Sequence, residues 1–118
     1  MATILLIEDN PNQRKLYQME LQEEGYLVAV ACNGREGVEM VANEQPDLVV
    51  LDLGMPVMDG IEALGRIMDL NPKQRVILYS AYETYKDNFL TWAADAYLVK
   101  SSDVDALKQE VSRVLRKR

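Results

Sequence analysis

The sequence contains no histidine. That absence removes the commonest general base, the commonest zinc ligand and any Ser-His or Cys-His nucleophile pair. There is one cysteine, Cys32, so no intramolecular disulfide can form. Following the apolar run "LVAVA", Cys32 is expected to be a small buried hydrophobe rather than a redox residue. No apolar run approaches the ~20 residues that a membrane span requires. Acids interrupt the opening "MATILLIEDN" too early for a secretory signal, so no membrane contact and a cytoplasmic location are expected. Basic residues are outnumbered 13 to 19, for a net charge of -6. This excludes the basic surface needed for sequence-independent nucleic-acid binding. The one local basic run, "RKR" at the end, complements the dipole of a closing helix. Glycines and prolines number only 6 and 4, and no linker, repeat or low-complexity tract is visible.

What is present is an ordinary globular composition, 48% hydrophobic and 27% charged over 118 residues. That length suits one domain, 1–118, with a real core. Short β-rich runs alternate with helical patterns. The strands are residues 3–8, 27–31, 47–52, 75–80 and 96–100. Asn10 and Pro11 signal the first helix, which stops at Gly25. Val38, Val41 and Ala42 have the spacing of a second helix face, and Pro46 ends that segment. Ile61, Leu64, Ile67 and Met68 mark a third, closed at Asn71-Pro72. Tyr85, Phe89, Trp92 and Ala93 fit a fourth. Val104, Leu107, Val111, Val114 and Leu115 give a fifth, with Ser102 and Asp105 as a capping box.

Five strands alternating with five helices predict an α/β domain with a parallel sheet. Strands one, three and four are nearly all apolar, as expected for strands covered on both faces. Strand two, with small alternating residues, suits an edge. Right-handed crossovers then favour the doubly wound, flavodoxin-like order 2-1-3-4-5.

The strand ends carry the chemistry. Strand one ends in Glu8-Asp9, strand three in Asp52, strand four in Ser80 and strand five in Lys100. In a parallel sheet these ends share one edge, and strands one and three flank the switch point where such sheets bind ligands. Each residue alone has a plain structural reading: Asp9 as a helix cap, Ser80 as a loop hydroxyl, Lys100 as a solvated strand end, Tyr97 as a half-buried sheet aromatic. Together they are poorly explained by coincidence. Two unit charges at 4 Å repel by roughly 4 kcal/mol at an effective dielectric of 20, so three carboxylates need an offset. Lys100 neutralises one charge, and a hard divalent cation with oxygen ligands, Mg²⁺, suits the rest. Carboxylate, cation, ammonium and hydroxyl make a phosphoryl-transfer site with Asp52 as nucleophile.

At "LLIEDN", "PDLVVLDLGMPVMDG", "VILYSA" and "DAYLVK" the chain resembles, along its whole length, the receiver domains of two-component response regulators. The 2-1-3-4-5 order is familiar from a member of this family, so that order is partly carried by the resemblance. The resemblance implies a phosphorylation-dependent switch. Asp52 would accept a phosphoryl group from a phosphohistidine on a partner histidine kinase or histidine phosphotransfer protein. Asp9, Asp52 and the backbone carbonyl of Gly54 would ligate Mg²⁺, with Mn²⁺ as the substitute ion, and Glu8 would act through a metal-bound water. Lys100 and Ser80 would bind the phosphoryl oxygens, and the small Ala81 would leave the acceptor open. Tyr97 would be the aromatic switch coupled to Ser80. Helix four, strand five and helix five would form the output face, including a homodimer surface. The domain would thus catalyse its own aspartyl phosphorylation and dephosphorylation without being a conventional enzyme.

The sequence departs from the family pattern at three places. Ser101 follows the lysine where proline, often cis, is usual; a non-proline cis bond costs ~2.5–4 kcal/mol. Trp92-Ala93-Ala94 stands where Gly-Ala often ends helix four, and a left-handed cap is disfavoured for Ala93. The acidic pair is Glu-Asp where Asp-Asp is also common. A phosphatase of the haloacid-dehalogenase type wants a second Asp at position 54, which is Gly. A flavodoxin-like electron carrier wants a phosphate-binding loop where the acidic "EDNPNQ" stands. The remaining alternative is a receiver fold that serves as a phosphorylation-independent interaction or dimerisation module.

Overall fold

Apolar strands of period two send alternate side chains to the two faces of one sheet. In the computed structural model, which describes residues 1–54, 58–81, 92–101 and 103–116, that alternation builds two separate cores. The elements run β1 (Thr3–Ile7), α1 (Pro11–Glu23), β2 (Leu27–Ala31), α2 (Gly34–Glu44), β3 (Leu48–Leu51), α3 (Gly60–Leu70), β4 (Val76–Ser80), β5 (Ala96–Val99) and α4 (Asp105–Arg116). The predicted fifth helix is therefore α4. Every strand pairing is parallel and the order is β2-β1-β3-β4-β5, as expected from the crossovers.

On one face, Ile4, Leu6, Leu48, Val50, Ile77 and Tyr79 pack with Tyr17 and Leu21 of α1 and Leu107, Val111 and Val114 of α4. On the other, Leu5, Ile7, Val49, Leu51, Val76 and Leu78 pack with Val41 of α2 and Ala63, Leu64 and Ile67 of α3. Each large side chain fully buried this way contributes about 1.5–3 kcal/mol. The central strands β1, β3 and β4 are buried on both faces, whereas edge strand β2 is mostly half-exposed.

The helices begin where short polar side chains can cap them. Asn10 Oδ1 accepts from the N–H groups of Asn12 and Gln13, both at 3.0 Å, with Pro11 opening α1. Asn33 accepts from Glu36 and Asp59 from Glu62, each at 2.9 Å. Gly25 follows α1 at φ 96°, a conformation that favours glycine. Ser102 of the expected capping box lies outside the described residues; Asp103 Oδ1 accepts from the Asp105 N–H at 2.9 Å.

Three expectations are corrected. Cys32 is exposed, because β2 ends at the buried Ala31 and Cys32 begins the turn into α2. Ala42 is exposed, and the buried face of α2 is Gly34, Gly37 and Val41 instead. Hydrophobicity could not point to those glycines; they are needed because a Cβ on Gly37 would lie 2.3 Å from Ile7 Cδ1. The fourth predicted helix falls largely outside the described residues, Tyr85 and Phe89 included, and Trp92, placed on its apolar face, is 76% exposed.

Gly60 ties the fold to the strand-three acid. A Cβ there would meet the Asp52 carbonyl oxygen at 2.3 Å and Leu53 Cα at 2.4 Å. Both are backbone atoms, so neither can swing aside. Gly60→Ala is expected to lower unfolding free energy by about 1–3 kcal/mol, the usual cost of overpacking. Denaturant unfolding measures it, and an unchanged midpoint would contradict the close approach.

Candidate functional site

The backbone ladder delivers the predicted residues to one edge. Ile7 pairs with Leu51, and Ser80 with Val99. Just beyond the strands, the Asp52 N–H donates to the Ile7 carbonyl at 3.1 Å, and the Glu8 N–H to that of Ala31 at 3.1 Å. The Lys100 N–H donates to the Ser80 carbonyl at 2.7 Å. Pairing thus continues one step past each strand, which holds Glu8, Asp52 and Lys100 in register with one another.

Glu8, Asp9 and Asp52 each offer a carboxylate oxygen, and these oxygens lie within 4.8 Å of one another. Glu8 and Asp52 are buried, at 2% and 9% exposure, while Asp9 is half-exposed. Lys100 Nζ sits 2.5 Å from Glu8 Oε1 and 3.6 Å from Asp52 Oδ2. The other oxygen of Glu8 accepts from the Asn10 N–H at 3.1 Å. The Gly54 N–H reaches Asp52 Oδ1 at 3.4 Å, so the chain folds back over the acid. Ser80 is fully buried at the end of β4, Ala81 beside it is exposed, and Tyr97 packs half-buried against the α2–α3 side of the sheet. The Lys100–Ser101 peptide is trans, as are all described peptides, and Gln45 is the one described non-glycine residue with positive φ.

Electrostatics record the crowding. Burial pushes the Glu8 carboxyl above its ordinary range, and the Asp52 charge adds to the rise; the hydrogen bond from Lys100 opposes it. The donor set fits a hard divalent cation. It is all oxygen, it carries more negative charge than one ammonium offsets, and two of its members are buried rather than solvated. Both Glu8 oxygens accept from protein donors, Oε1 from Lys100 and Oε2 from the Asn10 N–H.

Several contributors escaped the sequence reading. Gln13 Oε1 accepts from Lys100 Nζ at 2.7 Å. Arg14 donates to the Glu8 carbonyl at 3.0 Å and approaches that of Asp9 at 3.5 Å. The rings of Tyr17 and Tyr79, edge to face at 5.1 Å, lie 5.7 and 6.0 Å from the Lys100 ammonium. The available signal was position: the first turn of α1 follows the acids directly, so its side chains face the same edge.

The Tyr79 hydroxyl is buried in reach of Tyr17 and the Ser101 backbone, but forms no well-aligned hydrogen bond among the described residues. Burial first, then the neighbouring Tyr17, pushes its phenol up to about 12. A phenol that holds its proton more tightly when folded costs stability as pH rises from 10, its unfolded value, through the folded one. Tyr79→Phe is expected to change stability by no more than about 1 kcal/mol at neutral pH, because the buried hydroxyl it removes is only weakly engaged by Tyr17 and the Ser101 backbone. It should also shrink the alkaline loss between pH 10 and 12, as read by urea unfolding.

A separate cavity of about 480 Å³, lined by Thr3, Leu27, Val28, Met40 and Glu44 among others, lies at the starts of β1 and β2, the opposite edge of the sheet. Glu44 is its one charged lining residue, so it lacks the charge cluster of the acid edge. Among the described residues no helix is long and apolar enough to cross a membrane.

The chain is similar to known proteins over nearly its whole length. Response regulator ArlR of Staphylococcus epidermidis is 32% identical over 118 residues, covering 99% of this chain and 54% of that protein. ArlR of Staphylococcus aureus is 30% identical over the same shares. The chain thus spans about half the length of these curated relatives. A crystal structure of response regulator protein TrrA from Thermotoga maritima, in complex with Mg(2+)-BeF, superposes with a TM-score of 0.93 at 41% identity, covering 97% of this chain and 99% of that one. A crystal structure of histidine kinase ThkA in complex with TrrA matches with a TM-score of 0.91 at 42% identity, covering 98% and 99%. The sequence profile described as "Response regulator receiver domain" matches residues 4–112. With nearly the whole chain matched, the protein belongs to the response regulator receiver domain family.

Proposed function

We propose that this chain, as one receiver domain over 1–118, is a switch set by phosphorylation of Asp52. The observation that carries the reading is the convergence of Glu8, Asp9 and Asp52 on one another and on Lys100 at the C-terminal edge of the sheet. An Asp52 carboxylate oxygen attacks the phosphorus of a phosphohistidine on a partner kinase or phosphotransfer protein. A P–O bond forms, the P–N bond breaks, and the imidazole leaves with its electron pair and takes up a proton. The chain has no histidine of its own, so the donor is another molecule. The TrrA structure with a histidine kinase supports a partner of that class.

Asp9, Asp52 and the Gly54 carbonyl would hold Mg²⁺ in this reading, and Glu8 would act through a metal-bound water. An ion held there would supply positive charge to offset that on the transferring oxygens. Lys100 and Ser80 supply donors to the same oxygens, and the exposed Ala81 leaves the approach open. Phosphorylation adds a charge of about -1.5 to -2. Inverting a 1:99 conformational population takes about 5.5 kcal/mol of differential interaction, of which charge-assisted bonds to Ser80 and Lys100 supply a large part. Tyr97 on β5 then relays the change to the output face formed with α4 and the segment before β5, where a target or a second copy docks.

Incubation with acetyl phosphate and Mg²⁺ tests this. The intact mass is expected to rise by one phosphoryl group, located on Asp52, and not to rise with chelator present. An unmodified mass at every Mg²⁺ concentration would favour the phosphorylation-independent binding module instead.

A further inference from the structure

Lys100 follows β5, with β4 and β3 standing between it and β1. Its ammonium nevertheless lies on Glu8, at the end of β1. A four-carbon stem with three rotatable donors does not hold such a position by itself.

The first turn of α1 holds it. Two of the three N–H donors are taken, one by Glu8 Oε1 at 2.5 Å and one by Gln13 Oε1 at 2.7 Å. The Gln13 backbone N–H donates to Asn10 Oδ1 at 3.0 Å. The Asn10 backbone N–H donates to Glu8 Oε2 at 3.1 Å. These four bonds close a circuit, Glu8 to Lys100 to Gln13 to Asn10 and back to Glu8. Lys100 is the one member from outside the β1–α1 segment. Arg14 pins the same segment through the Glu8 carbonyl at 3.0 Å. Among the described residues one ammonium donor is left without an acceptor, and Asp52 Oδ2 stands 3.6 Å away, beyond hydrogen-bond length.

We propose that Gln13 is a positioning residue for Lys100: its amide oxygen closes the circuit that orders the ammonium and leaves one N–H for the Asp52 side. This rests on the phosphoryl-transfer reading above, because the ordered donor is useful where phosphoryl oxygens arrive. An amide suits the task. It supplies a strong acceptor without adding a fourth carboxylate to the acids, and side-chain order established before the reaction is order that need not be gained during it. Gln13 does not itself touch the reacting atoms.

The test uses the whole chain with Gln13→Leu, of similar size and on a half-exposed position, and Gln13→Glu, which keeps an acceptor of the same reach. ¹⁵N relaxation of the Lys100 ammonium, measured without any phosphodonor, is expected to show reduced order in Gln13→Leu and wild-type order in Gln13→Glu. Phosphoryl uptake from acetyl phosphate is expected to slow about tenfold in Gln13→Leu, in line with loss of one bond to a charged group. In a Lys100→Met background the same substitution is expected to change nothing further. Unchanged ammonium order in Gln13→Leu, or equal slowing without the lysine, overturns the proposal. A wild-type chain that takes up no phosphoryl group overturns the phosphoryl-transfer reading instead, and the ammonium order still decides the role of Gln13.

Discussion

Asp52→Asn is expected to abolish phosphoryl uptake while leaving the fold about as stable as the parent. The amide lacks the nucleophilic oxygen, and no other described carboxylate is placed to replace it. Glu8 is fastened to Lys100 and the Asn10 N–H, and Asp9 is half-exposed at the rim. Stability is a contest between two terms. Removing one of three crowded carboxylates relieves repulsion of roughly 4 kcal/mol per close pair before screening. Removing it also deletes the ion pair with Lys100 at 3.6 Å. The terms oppose each other, and Asn keeps the oxygen that accepts from Gly54, so the net change is expected to be no more than about 1 kcal/mol. Intact mass after acetyl phosphate reads the first effect and thermal unfolding the second. Mg²⁺ supplies a third readout, since a ligand that binds only the native state raises stability by RT ln(1 + [L]/Kd). That increment is expected to fall sharply in Asp52→Asn. A full increment would mean that the ion binds elsewhere.

The architecture was largely legible because it depends on terms that sequence records directly. Continuous apolar runs such as "ILLI" and "LVVL" need cover on both faces, and caps at Asn10 and Asn33 sit immediately before their helices. The acids were legible for the same reason, since a parallel sheet sends every strand end to one edge. What escaped depends on distance rather than composition. Gly37 and Gly60 matter because Ile7 and the Asp52 backbone come within a Cβ radius of them, and neither neighbour is near in sequence. Cys32 reads as core by type but falls one residue past the last paired position of β2. Gln13 is one of several similar polar residues on α1. It becomes distinct only when a lysine 87 positions away arrives beside it.

Lys100→Met separates the structural from the chemical use of the lysine. Methionine keeps most of the stem but removes the ammonium, and with it the bonds to Glu8 and Gln13 and the pair with Asp52. Glu8 is 2% exposed, so it is left as a buried, uncompensated charge. Breaking a buried pair from one side costs about 3–5 kcal/mol. The low end, about 3 kcal/mol, is expected here because Glu8 has an escape: it takes up a proton. The sign of the pH dependence follows. The Glu8 carboxyl is already pushed up by burial and by Asp52, and loss of the ammonium pushes it further. A carboxyl whose folded value exceeds its unfolded value costs nothing while protonated in both states. It costs progressively more as pH rises from the unfolded value through the folded one. The deficit of Lys100→Met against the parent is therefore expected to be largest at neutral pH and to shrink toward about pH 4, the ordinary carboxyl range, in urea unfolding at a series of pH values. Mg²⁺ should recover part of it by supplying the missing positive charge. Phosphoryl uptake is expected to slow about a hundredfold, as when a preorganised donor to transition-state charge is lost, and neither low pH nor Mg²⁺ should restore that rate. A stability deficit that is flat with pH would show that Glu8 does not carry the cost, and that the lysine is held for its stem rather than its charge.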